Sequence, residues 1–166
     1  FDYVTYHEYD SWSRAYGSRD DLTTLIDGLG LEEKLIRLTE AGSTSDADYT
    51  DRTDYPNSDE TQCADIFRRT MIGWGNGDAS VLWHTYLPIS ESETGGEFQG
   101  YEIEEFDGSY KQAAYTYQLL TDNLIPFKQI TPYNTSGQYI YRIVTDDGSI
   151  RLHRAGANPP FPLWDQ

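Results

Sequence analysis

The chain is short of basic residues, of sulfur and of long apolar runs. Its 12 Lys and Arg are set against 28 Asp and Glu in 166 residues, a formal net charge of -16. Nucleic acids and anionic membranes need a positive face, so both are excluded as expected partners. Most of these charges read as a solvated acidic surface, suited to high salt or to neutral ligands. Cys63 is alone. No intrachain disulfide can form, and its place in an apolar helical pattern marks it as a small core residue. No apolar run approaches the ~18–20 residues that cross a bilayer. There is no leader-like segment and no initiator Met. The chain opens at Phe1, inside a predicted strand. The expectation is therefore a fragment or a processed piece, with secretion as the expected location. "DADYTDRTD" (46–54) has aspartates at intervals but lacks the Gly and the closing Glu of a calcium loop. No metal and no cofactor are expected.

Aromatic bulk is what the chain does have. Aromatics make up 14% of it, including 14 tyrosines, and offset a hydrophobic content of only 37%. That is enough for one ordinary domain with a sizeable core.

"FDYVTYHEY" (1–9) is β-branched and aromatic and reads as a strand. Tyr3, Thr5, His7 and Tyr9 share one face, Val4 and Tyr6 the other. Leu22, Leu25, Ile26 and Leu29 follow with helical spacing, capped at Ser18 or Asp20 and ended by Gly28 or Gly30. "LIRLTE" is a second strand, expected to be buried on both faces, and a long polar loop succeeds it. Thr61 to Trp74 reads as a helix, with Gly73, Gly75 and Gly77 as its stop. "SVLWHTYL" (80–87) is a third strand. An acidic loop and a hairpin turning at Asp107-Gly108 lead to a helix over 111–124. "FKQITPY", "QYIYRIV" and "SIRLHRAG" predict antiparallel strands, the last two joined at Asp147-Gly148.

Strands alternating with helices imply right-handed βαβ units and a parallel sheet. The fold class is thus α/β, with a parallel sheet over 1–125, a small antiparallel β region over 126–158 and an extended tail over 159–166. In such folds ligands bind at the carboxyl ends of the strands. Those ends carry His7 and Tyr9, then Glu40, then Trp83 and His84. Burying an ionised carboxylate at the end of an apolar run costs several kcal/mol unless it is paired, so Glu40 either reaches solvent or belongs to a site. A carboxylate among aromatic faces suits a carbohydrate: rings stack on sugar, and the carboxylate stabilises an oxocarbenium-like transition state. Tyr9 is the expected hydrogen-bond donor to Glu40. Strand alternation turns Glu8 away from the site, and His84 is expected to face the helices.

The segments "DYVTYHEY", "KLIRLTEAG", "DETQCADIFRRTMIGWGNGDASVLWHTY" and "DGSYKQAAYTYQLLTDNL" resemble the last three βα units of a retaining (β/α)8-barrel glycoside hydrolase. The resemblance implies a partial TIM-barrel-like sheet acting on β-linked polysaccharide or oligosaccharide. It implies Glu40 as the catalytic nucleophile. His7 and Tyr9 match a polar pair on the sixth barrel strand, and Trp83 an aromatic platform on the eighth. The chain departs from the pattern in two ways. The family's acid/base lies in an "NE" pair on an earlier strand, and neither that pair nor the first five strands is present. Glu91, Glu93 and Glu97 are the local substitutes for the acid. A non-catalytic carbohydrate-binding remnant is the alternative reading. A partial barrel also leaves strand edges open, so the expected partners besides sugar are a second copy or the missing N-terminal half of the barrel.

Overall fold

The computed structural model describes residues 2–9, 12–48, 57–88, 100–135 and 138–156. Three parallel strands, β1 (Tyr3–Glu8), β2 (Leu35–Ala41) and β3 (Ser80–Trp83), form one sheet in the order β1-β2-β3. Helix α1 (Trp12–Gly28) connects the first two strands and α2 (Asp59–Gly75) the second two. Helix α3 (Gln112–Leu124) then leads to an antiparallel sheet of β4 (Phe127–Thr135), β5 (Gln138–Thr145) and β6 (Ile150–Gly156). The chain is therefore α/β with a separate antiparallel sheet, as its alternation predicts.

Helix α2 is the hub. Ser58 caps it: its hydroxyl accepts from the Thr61 N–H, and the Thr61 side chain accepts from the Ser58 N–H. Asp59 and Glu60 add negative charge where the helix dipole favours it. Cys63, Ile66, Phe67 and Met71 pack with Leu120 and Leu124 of α3 and with Ile130, Tyr141 and Ile143 of the antiparallel sheet. One apolar cluster thus spans both sheets' layers. Burial pushes the Cys63 thiol up from its ordinary value, as befits a core residue.

Five expectations need correction. Helix α1 starts at Trp12 rather than at Ser18 or Asp20, and of its apolar stripe only Ile26 is buried. Leu25 and Leu29 lie 58% and 63% exposed, and Arg19 takes the buried position instead. Strand β2 is covered on one face only. Ile36 and Leu38 are buried against the helices, while Leu35 is half exposed. Helix α2 runs through Gly73, because a side chain there would meet Val81 Cγ2 at 2.4 Å; the glycine permits close helix–strand packing rather than ending the helix. Strand β3 stops at Trp83, and the bond from the His84 N–H to the Ala41 carbonyl, 2.7 Å, is its last tie to β2. Beyond it Tyr86 and Leu87 are exposed. The hairpin at Asp107-Gly108 shrinks to a single bridge between Glu104 and Tyr110.

Candidate active site at the strand ends

Strands β1 and β2 pair in parallel, with a register shift between Tyr6 and His7 that sets His7 opposite Glu40. Both residues therefore stand at the carboxyl end of the sheet. The Tyr9 hydroxyl, just past β1, donates to Glu40 Oε2 at 2.6 Å. His7 Nδ1 lies 3.4 Å from the same oxygen. Glu40 keeps 38% of its side chain accessible and His7 53%. The carboxylate is thus neither buried at a cost nor free: it is held by a phenol and open to a ligand. Burial, then the bond to Glu40, raise the Tyr9 pKa, so this phenol stays a donor across the ordinary pH range.

The rings around Tyr9 are not the expected ones. His84 meets it edge-on at 5.9 Å and Tyr101 at 6.0 Å. His84 therefore stands beside the site rather than among the helices. Trp83 packs instead against both apolar clusters, including Val81 and Leu38, and its Nε1 donates to the Tyr101 carbonyl at 3.3 Å. It lines a second, mostly apolar groove of about 660 Å³ between β3 and α3, with Leu82, Tyr86, Ile103 and Tyr115. Tyr101 escaped sequence reading because it sits in a loop 61 residues from Glu40, and only its aromatic character was a signal.

The loops behind the site are tied together by buried polar groups. The Gln62 amide donates to the carbonyls of Ser43, Gly100 and Tyr101 at 2.8, 3.0 and 3.3 Å. Lys111 is buried beside Glu102 at 2.5 Å and donates to Ser45 Oγ at 3.1 Å. Glu91, Glu93 and Glu97 lie outside the described residues, as do residues 49–54 of the aspartate-rich loop. Among the described residues no group of three or more His, Cys, Asp or Glu side chains is placed to hold a metal ion.

A fold comparison bears on this geometry. The chain matches the crystal structure of a glucosidase from Croceicoccus marinus with a TM-score of 0.63 and 16% identity. The match covers 96% of this chain and 34% of that one. The two share a fold. No family model matches the sequence, and no curated protein matches it. The present chain spans about a third of the solved chain, and its α/β layer and antiparallel sheet both fall within the matched part.

Proposed function

We propose that this chain is part of a glycoside hydrolase that cleaves β-linked glucan or xylan with retention, and that Glu40 is its nucleophile. The observation that carries the reading is the half-exposed Glu40 carboxylate, gripped by Tyr9 and flanked by His7 at the carboxyl end of a parallel sheet. A fold shared with a glucosidase supports it. In a retaining enzyme the carboxylate attacks the anomeric carbon while an acid about 5–5.5 Å away protonates the leaving oxygen. The bond from Tyr9 holds that carboxylate in place. His7 and Tyr9 are the groups placed to meet sugar hydroxyls.

The acid and the rest of the barrel come, in this reading, from βα units beyond the three described. Tyr3, Leu35 and Leu82 are exposed on the sheet, and β1 and β3 are its edges. A barrel completed at both edges covers them. That the matched solved chain is mostly made of residues beyond this match supports the same view.

A test that needs no acid is trapping with 2-deoxy-2-fluoro-β-glucosyl and β-xylosyl fluorides. Glu40 attacks the anomeric carbon, fluoride leaves unassisted, and a glycosyl ester remains. Mass spectrometry of the peptide containing Glu40 should show the added sugar, and Glu40→Gln should abolish it with the fold intact. With the chain joined to the units that complete its barrel, absence of an adduct, or one that survives Glu40→Gln, overturns the assignment. Sugar binding without an adduct would favour the non-catalytic reading.

A further inference from the structure

We propose that Tyr86, Tyr110 and Tyr115 form a second carbohydrate-binding site, which takes a neutral β-linked oligosaccharide at the mouth of the groove between β3 and α3. Tyr86 lies past the carboxyl end of β3, and Tyr110 just before the amino end of α3. Their hydroxyls meet at 3.1 Å, with Tyr86 donating. The amino end of α3 therefore stands at the carboxyl end of the parallel sheet, the end that also carries Glu40. Tyr115 sits in the first turn of α3 and meets Tyr110 edge-on at 6.4 Å. The Tyr86 and Tyr110 rings are 6.4 Å apart and inclined at 67°. All three rings are about half exposed. Three neighbouring tyrosines left open to water form a patch that folding of this layer does not require, and such patches mark binding surfaces.

The chemistry of the groove selects its ligand. The groove encloses about 660 Å³, within the ~300–1,000 Å³ of ligand clefts. Among the described residues, its lining holds no charged side chain. The bond to Tyr110, foremost, lifts the Tyr86 phenol to about 12, so it stays neutral at ordinary pH. The Glu104 carboxylate near Tyr86 and the net charge of -16 turn anionic ligands away. A pyranose ring has apolar C–H faces and a rim of hydroxyls. Tyrosine offers the counterpart of each, a ring face and a phenol. Gln118, one turn further along α3, adds an amide to the lining. One backbone segment joins this site to the Glu40 site. Tyr101 touches Tyr9, and just beyond it the Ile103 and Glu104 N–H groups donate to the Tyr86 carbonyl at 3.3 and 3.1 Å. Leu82 lies within β3, on the edge where a neighbouring strand pairs; Tyr86 and Tyr110 lie past the point where β3 has stopped.

Binding here does not depend on Glu40 being a nucleophile; only the use of the groove as an extension of a catalytic cleft rests on the hydrolase reading. The chain is titrated with cellohexaose and with xylohexaose, and its isotope-labelled tyrosine rings are followed by NMR. Saturable shifts should appear at Tyr86, Tyr110 and Tyr115 and not at Tyr133, an exposed tyrosine of the antiparallel sheet. Tyr115→Ala should weaken the affinity ~tenfold, as loss of an anchoring aromatic ring does. Tyr133→Ala should leave it unchanged. The absence of saturable shifts at the three rings, or an affinity untouched by Tyr115→Ala, overturns the proposal. So does equal affinity for a β-linked oligoglucuronate, which differs in charge. Should Tyr115→Ala fail to fold, the ring shifts of the unaltered chain decide alone. The titration is then repeated on the chain joined to the units that complete its barrel. Rings that no longer respond there mark the groove as a seat for protein, and the proposal falls. Shifts at the tyrosines with no glycosyl ester at Glu40 remove the hydrolase reading and leave this site standing; an ester with silent tyrosine rings does the reverse.

Discussion

A tyrosine hydroxyl and a nitrogen-bearing side chain meet a carboxylate twice in this parallel layer, with opposite burial. At the strand ends, a tyrosine hydroxyl (Tyr9) and a histidine (His7) meet a carboxylate (Glu40) that is 38% accessible. On the helix side, the Tyr6 hydroxyl donates to Asp78 Oδ2 at 2.8 Å, and Arg19 grips the other oxygen through Nε at 2.8 Å and a second nitrogen at 2.7 Å. There the carboxylate is fully buried and the guanidinium 4% exposed. Asp78 lies in the connection that feeds the amino end of β3, so this trio ties α1, β1 and the α2–β3 turn together. One arrangement stays open to solvent. The other gives up exposure to fix the layer. The comparison teaches that a tyrosine–carboxylate pair beside a nitrogen-bearing side chain has no fixed meaning; solvent access separates the two.

The sharpest way to break the comparison is to remove the cation from the buried trio. Arg19→Met leaves Asp78 buried without its partner. The expected loss is ~3–5 kcal/mol of stability, the usual result of orphaning a buried charge. Denaturant unfolding measures it. Burial already pushes the Asp78 carboxyl above its ordinary value, more than Arg19 and Tyr6 draw it down. Without Arg19 it rises further, so the loss should shrink at acid pH as Asp78 takes a proton. His7→Ala, the matching change at the strand ends, should alter stability by about 0.5 kcal/mol or less, as exposed substitutions do. Equal losses from the two would show that both trios are structural.

Removing the hydroxyls gives a smaller contrast. Tyr6→Phe strands one buried lone pair of Asp78 and should cost ~1–3 kcal/mol. Tyr9→Phe leaves Glu40 able to find water, and should cost about 1 kcal/mol or less. The unfolding midpoints of the two variants, compared in one buffer, decide the matter; a costlier Tyr9→Phe would make the strand-end cluster a structural one.

The sequence announced the exposed trio better than the buried one, for a physical reason. Strand alternation places His7, and the end of an apolar run places Glu40, so local pattern suffices. Tyr9 as donor to Glu40 follows from the same reasoning and is what the structure holds. The Arg19–Asp78 pair joins residues 59 apart, and Arg19 sits within a helix whose leucines look like the better core. Periodicity counts apolar side chains and cannot see a tertiary partner such as Asp78, whose pairing lets an arginine be buried while Leu25 and Leu29 stay exposed. The reversal of Trp83 and His84 has a similar origin. Strand β3 ends at Trp83, so the alternation that assigned His84 to the helices stops one residue too early to apply. The antiparallel sheet was easier: Asp147-Gly148 and the β-branched runs on either side are local signals, and Gly148 adopts the positive φ, +87°, that such a turn asks of glycine.

That hairpin supplies the smallest prediction and separates the two causes mixed in the trios. Asp147 is an exposed carboxylate held mainly by hydrogen bonds. The Thr145 hydroxyl donates to it at 2.6 Å and the Ser149 N–H at 2.9 Å. These bonds, the Thr145 one foremost, draw its pKa down from 3.8 to about 2. Asp78, with donors of its own, shifts the other way because burial outweighs them. The sign follows directly: a carboxyl depressed in the folded chain adds stability above its ordinary value and loses it as pH falls through about 2. Asp147→Asn removes the titration but keeps an oxygen that can accept both bonds. The stability difference between the two chains should therefore be constant above pH ~5 and narrow as pH falls from about 4 towards about 2. Urea midpoints taken across that window measure it. A difference that stays flat through the window would mean that the Thr145 and Ser149 bonds do not favour the charged form, and that burial alone separates the carboxylates of this molecule.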